Sequence, residues 1–240
     1  MNIKSSNFDK KPRNLKKIKY IVIHYTGMQS EVEAIKRLTN PKSKVSCHYF
    51  INKKGKVKKL ISERFVAWHA GRSNWKNLNS LNRFSIGIEL TNPGHAHKYK
   101  KFPAIQISSL IKVLKYLMKK YNVPKKNILG HSDISPLRKK DPGEKFPWQK
   151  LAKSNICIWH NLDKKYISEK RKNKISIQEK IDFFKFLKKI GYQSKFKVKK
   201  SLYEKKLIHA FQRRYRPELI SAKVDEECLI IAKNIGFLAK

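Results

Sequence analysis

Apolar and polar positions fall in blocks along this chain, and the blocks differ in period. The segment IKYIVIHYTG (18–27) is a short apolar run ending at a Thr-Gly turn, which predicts a buried strand. Residues 30–40 suit a short helix that stops before Pro41, because the residue preceding a proline is pushed out of the helical region. CHYFINKKGKVKKLI (47–61) predicts a hairpin built from an apolar strand, a Lys-Lys-Gly turn and a second strand. FSIGIEL (84–90) predicts another buried strand, closed by Asn92, Pro93 and Gly94. The clearest helix covers 106–121. There Ile107, Leu110, Ile111, Leu114, Leu117, Met118 and Tyr121 recur on one face, and Pro124 follows. NILGHSDI (127–134) predicts a short strand leading into a loop. Strands alternating with helices in this way point to an α/β fold, a mixed central sheet flanked by helices.

The pattern changes after residue 150. Residues 151–174 are irregular and lysine-rich and are expected to be a linker. Ser176 and Glu179 form a capping box before IDFFKFLKKIGY, and Gly191 supplies the C-cap. A second helix is expected over 202–214, with Leu207, Ile208, Phe211 and Tyr215 near one face, and a third from the N-cap Asp225 to about Asn234. The expected organisation is a polar, mobile arm at 1–17, an α/β domain at 18–150, the linker at 151–174 and a small C-terminal three-helix domain at 175–240.

Composition narrows the classes. Of the 240 residues, 40% are hydrophobic, enough for a real core. No apolar run is long enough to span a bilayer. The opening MNIKSSNFDKKPRNLKK has no apolar segment and no early cysteine, so neither a secretory signal nor a lipid anchor is expected. A cytoplasmic location follows as the expectation, with export by another route as the alternative. Cys47, Cys157 and Cys228 are too sparse for a disulfide framework and include no CxxC pair. Lys and Arg number 57 against 17 Asp and Glu, a net charge of +40. Such a charge suits a polyanionic partner, or lysine drift across solvated positions. The even spread of the basic residues favours drift. With no zinc finger, RNA-recognition signature or clean helix-turn-helix, no specific nucleic-acid partner is expected.

Among eight histidines, His24 and His131 stand at the ends of predicted strands, where side chains can converge on the rim of a sheet. Asp141 follows His131 by ten residues, across a loop holding Pro136, Pro142 and Gly143. Two imidazoles and a carboxylate suit a catalytic zinc with one position left open for water. Spacing alone leaves a plainer alternative open: a hydrogen-bonded core histidine and a turn aspartate.

IVIHYTG, SCHYFINKKGKV, WHAGRSNW, SIGIEL and GHSDISPLRKKDPGEKFPW occur in that order. Together they resemble the type-2 N-acetylmuramoyl-L-alanine amidases, relatives of the peptidoglycan-recognition proteins, and in particular the AmiD-like enzymes. The tail AFQRRYRP (210–217), with Asp225 downstream, resembles their appended peptidoglycan-binding-like helical domain. The resemblance implies one Zn2+ per chain held by His24, His131 and Asp141. It implies Glu89 as general base and Lys139, rather than its neighbour Lys140, as the stabiliser of transition-state charge. It places Trp68, His69 and Arg72 along the substrate groove, and His48 near the site but off the metal. The implied reaction is hydrolysis of the amide between N-acetylmuramic acid, or its 1,6-anhydro form, and L-alanine. The implied partner is a peptidoglycan fragment; a monomer is favoured, with the oligomeric state left open. A non-catalytic peptidoglycan-binding protein is the alternative. It is disfavoured because the whole residue set is present. The missing export signal and the lysine load depart from the AmiD-like pattern.

Overall fold

The structure, a computed structural model, describes residues 4–193 and 198–239. In chain order its elements are β1 (Phe8–Asp9), β2 (Tyr20–Tyr25), α1 (Glu31–Thr39), β3 (Tyr49–Ile51), β4 (Val57–Lys59), β5 (Val66–Ala67), β6 (Asn74–Trp75), β7 (Leu78–Asn79), β8 (Ser85–Leu90), α2 (Ala104–Tyr121), β9 (Ile128–Gly130), α3 (His131–Ile134), α4 (Trp148–Lys153), α5 (Lys164–Glu169), α6 (Ile177–Ile190), α7 (Lys200–Tyr215) and α8 (Glu226–Leu238). The central sheet has the order β4-β3-β8-β2-β9. Its four pairings are parallel except for the β3–β4 hairpin, so the sheet is mixed, as expected.

Side chains alternate between the two faces of a strand, and each face has its own core. Ile21, Ile23, Ile86, Ile88 and Leu90 pack with Ile107, Leu110, Leu114 and Leu117 of α2. On the other face Tyr20, Val22 and Leu129 join a cluster that runs without a break into Phe183, Leu187, Leu207, Phe211 and Ile231 of α6, α7 and α8. The C-terminal helices therefore cover one face of the sheet and share a core with it. No helix among the described residues is long and apolar enough to cross a membrane.

Three local expectations need correction. The N-terminal arm is not mobile over its described part, residues 4–17. β1 pairs with β5, Asn7 Nδ2 donates to Asn40 O (2.8 Å) and Val45 O (2.9 Å), and Arg13 donates to Glu63 O (2.8 Å) and Ser85 O (2.7 Å). Polar side chains answer loop carbonyls here, a form of anchoring with no hydrophobic period. The segment 127–134, expected as a short strand leading into a loop, is a strand over Ile128–Gly130, but the chain then winds into α3 instead of a loop. The segment 151–174 holds the end of α4 and all of α5, whose N-cap Asp163 accepts from Tyr166 N (2.8 Å).

Candidate metal centre and active site

β2 and β8 run parallel with His24 opposite Glu89. By alternation His24, Gly87 and Glu89 lie on the sheet face away from α2, at the carboxyl ends of parallel strands, where sites in such sheets form. β9 pairs with the other edge of β2 and delivers His131 as the first residue of α3. The loop after α3 returns Asp141, held by a bond from Ser132 N to Asp141 O (2.8 Å). Gly130 makes this return possible: a Cβ there would lie 2.7 Å from Pro142 Cδ.

His24 Nδ1 lies 2.9 Å from His131 Nδ1 and 3.2 Å from Asp141 Oδ2, and His131 Nδ1 lies 3.0 Å from the same oxygen. The far sides of the rings set the tautomers. His131 Nε2–H donates to Ala70 O (3.1 Å). His24 Nε2–H donates to His69 Nδ1 (3.0 Å), His69 Nε2–H to Ser85 Oγ (3.2 Å), and the Ser85 hydroxyl to Leu81 O (2.6 Å). Both Nδ1 atoms then present lone pairs to each other and to a carboxylate, a repulsive set unless a cation lies among them. The separations are close to the ~3.3 Å edges of a tetrahedron with ~2.0–2.1 Å zinc bonds. Two imidazoles and a carboxylate, backed by hydrogen-bonded outer partners, are a donor set that fits zinc. Burial, with help from His131, lowers His24 to about 4, so its ring is neutral.

A cleft of about 490 Å³ opens over this centre, with Tyr25, Trp68, Glu89, His95, Arg138 and Lys139 among its walls. Glu89 is half-buried, and its Oε2 has no hydrogen-bond partner. Burial pushes its carboxyl up to about 8. The charge of Asp141 adds to this and the Lys139 ammonium opposes it. Both Lys139 and Lys140 face the cleft. Lys139 is the half-buried one, and Lys140 is exposed. Trp68 lines the cleft with its indole fixed by Asp9 Oδ1 (2.8 Å) on the N-terminal arm.

Two residues expected along the groove behave differently. His69 reaches the cleft wall, but its ring is buried beneath His24 and packs on Gly87, where a Cβ would come within 2.3 Å of it. Arg72 is exposed and is not a wall of the cleft. Its carbonyl accepts from Ser135 Oγ (2.9 Å) and from Arg138 Nη2 (2.8 Å), and Arg138 takes the place at the rim. His48 is buried one ring further in, 5.8 Å from His69 between centroids and off the metal site. Sequence reasoning did not single out Arg37, Arg138 or His95 as cleft residues. The signal for His95 is the NPGHAH turn that follows β8.

Residues 14–144, over half of the chain, match the family described as N-acetylmuramoyl-L-alanine amidase. The chain belongs to that amidase family. It is 32% identical to the N-acetylmuramoyl-L-alanine amidase AmiD of Escherichia coli over 231 residues, covering 91% of this chain and 82% of that protein. It is 34% identical to the 1,6-anhydro-N-acetylmuramyl-L-alanine amidase AmpD of Haemophilus influenzae over 170 residues, covering 63% of this chain and 90% of that one. The solved complex of E. coli AmiD with anhydro-N-acetylmuramic acid-L-Ala-D-gamma-Glu-L-Lys superposes with a TM-score of 0.80 at 31% identity, covering 95% of this chain and 91% of that one. The AmpDh3 structure from Pseudomonas aeruginosa gives 0.81 at 27% identity, covering 99% and 98%. The amidase likeness thus extends through the C-terminal helices.

Proposed function

We propose that this amidase uses one zinc ion, held by His24, His131 and Asp141, to hydrolyse the amide between N-acetylmuramic acid, or its 1,6-anhydro form, and L-alanine in peptidoglycan fragments. The observation that carries the reading is the convergence of two Nδ1 lone pairs and one carboxylate oxygen on the floor of the cleft, beside an unpartnered Glu89 oxygen. Zinc bound there supplies a Lewis acid for the scissile carbonyl and lowers the pKa of water towards about 7. Glu89 takes the proton of the attacking water and passes it to the leaving amine of L-alanine. The Lys139 ammonium lies across the same cleft and stabilises the negative charge that develops on the carbonyl oxygen. His69 and Ala70 keep the two imidazoles in the tautomer that offers Nδ1. Trp68 and Arg138 form cleft walls suited to the sugar ring and to the stem-peptide carboxylates.

The substrate carried by the AmiD complex, an anhydro-muramyl tripeptide, supports fragments over intact wall, and with them a role in recycling. The expected cytoplasmic location goes with that role, and cell fractionation tests it. The reaction itself is tested by mass spectrometry of a disaccharide-peptide and an anhydro-muropeptide after incubation with the protein, with and without a chelator. Release of a peptide beginning with L-alanine, abolished by chelation and restored by zinc, is expected. Binding of muropeptide without any release would leave a non-catalytic peptidoglycan-binding protein.

A further inference from the structure

α3 has four residues, too few to hold itself together, yet its first residue is His131. Something outside the helix must fix it. Its third residue, Asp133, has a side chain only 1% exposed, and both of its oxygens are engaged. Oδ2 accepts from Gly130 N (2.7 Å), closing the turn from β9 into α3, and also accepts a short bond from Arg214 Nη1. Oδ1 accepts from the Tyr192 hydroxyl (2.7 Å). Arg214 uses its second nitrogen, Nη2, to donate to Ile128 O (2.9 Å) on β9, and its guanidinium lies 4.2 Å from the Trp148 ring centre. Arg214 belongs to α7 and Tyr192 follows α6, so both donors come from the C-terminal helices.

From this geometry we infer that Arg214 and Tyr192 are positioning residues for the metal centre. Through Asp133, the helical unit clamps the strand-to-helix junction that aims His131. A buried carboxylate is stable only while it is paired. Without the two donors Asp133 turns toward water, releases Gly130 N–H, and lets α3 and the His131 ring move. The Ser132–Asp141 backbone bond carries the same loosening to the third ligand. The helices thereby act on the reaction as well as on any wall strand they contact.

The inference rests on the metal reading proposed above, and one measurement separates the two. Zinc affinity is determined by competition with a chromophoric chelator for the parent, Tyr192→Phe, Arg214→Lys and Leu207→Ala, alongside thermal unfolding of each metal-free protein. Leu207 is buried in the same helical core, two turns of α7 before Arg214, and has no polar side-chain group to enter the clamp's hydrogen bonds. Tyr192→Phe is expected to weaken zinc binding about threefold to tenfold, less than the ~10–100-fold seen when a direct outer partner of a metal ligand is lost, and Arg214→Lys at least about tenfold, within that range. Leu207→Ala is expected to lower the unfolding temperature and leave zinc affinity within twofold. Affinities within twofold of the parent in both clamp variants overturn the inference. So does an equal loss in Leu207→Ala, since the effect would then be general packing. Should Arg214→Lys fail to fold, Tyr192→Phe decides alone. A parent that takes up no zinc refutes the metal reading, and this inference with it.

Discussion

Glu89→Gln should abolish activity and at the same time stabilise the metal-free protein, with the second effect dependent on pH. Glutamine keeps the shape of glutamate but cannot accept the proton of water. General-base catalysis contributes about 10²–10⁴ in rate, equivalent to ~3–5 kcal/mol of barrier. The stability term follows from burial. Glu89 is pushed from its ordinary 4.5 up to about 8 in the folded chain, chiefly by desolvation. The folded state therefore holds a proton that the unfolded state has released between those two values. Stability from this group is fully present below 4.5 and is lost as pH rises through 8. At pH 7 the loss is at most ~3 kcal/mol, at about 1.4 kcal/mol per pH unit, and partial solvation of the side chain reduces it to ~1–3 kcal/mol. The neutral amide escapes this loss. Thermal melts of the two metal-free proteins should therefore nearly coincide at pH 4.5. At pH 7 the variant should melt higher by roughly 2–12 °C, at ~2–4 °C per kcal/mol for a chain of this size, and the gap should be wider still at pH 8. Zinc should shrink the gap, because a nearby cation favours the ionised carboxylate. The reasoning fails if Glu89→Gln retains more than a tenth of the parent rate of peptide release, or if the melting difference does not change between pH 4.5 and pH 8.

Two further outcomes are expected. His69→Phe keeps a ring over Gly87 but leaves His24 Nε2–H without its acceptor, so zinc affinity should drop about 10- to 100-fold; chelator competition that finds no change would place His69 on the substrate side of the cleft instead. Lys139→Ala should lower kcat for peptide release by about 10²–10³ with little change in zinc content, whereas Lys140→Ala should stay within about threefold, and equal losses would remove the reason for choosing Lys139.

The periodic parts of the fold were legible in the sequence. The apolar face of α2, the β3–β4 hairpin and the capped helices all rest on local rules. Ser176 and Glu179 do exchange capping bonds (3.2 and 2.7 Å), and Asp225 accepts from Cys228 N (3.0 Å). The strand-end position of His24 was visible for the same reason; strand ends and spacing offered His24, His131 and Asp141 as one possible set, and the ordered motifs singled it out. What escaped was set by contacts distant in sequence. Arg13 answers carbonyls 50 and 72 residues away, so an arm with no apolar pattern is tied down. His69 was assigned to the groove by its neighbours in WHAGRSNW. The glycine in SIGIEL was the available signal that a ring lies flat against that strand, since glycine inside a strand marks a close approach.

The Asp133–Arg214 pair spans 81 residues and joins segments expected to belong to separate units. A boundary drawn near residue 150 follows the change in hydrophobic pattern, but the forces do not respect it. Tyr20, Val22 and Leu129 on the sheet share one apolar cluster with the C-terminal helices, alongside Ala70, Trp75, Leu81 and Ile134, so excising those helices would expose part of that face to water. A buried charge pair also joins the two parts: a carboxylate two residues from a proposed metal ligand is neutralised from the helical side. A segment that must cover the sheet to complete its core is also well placed to hold the loop that rises from the end of that sheet. In this chain the packing of the fold and the aim of His131 therefore depend on the same helices.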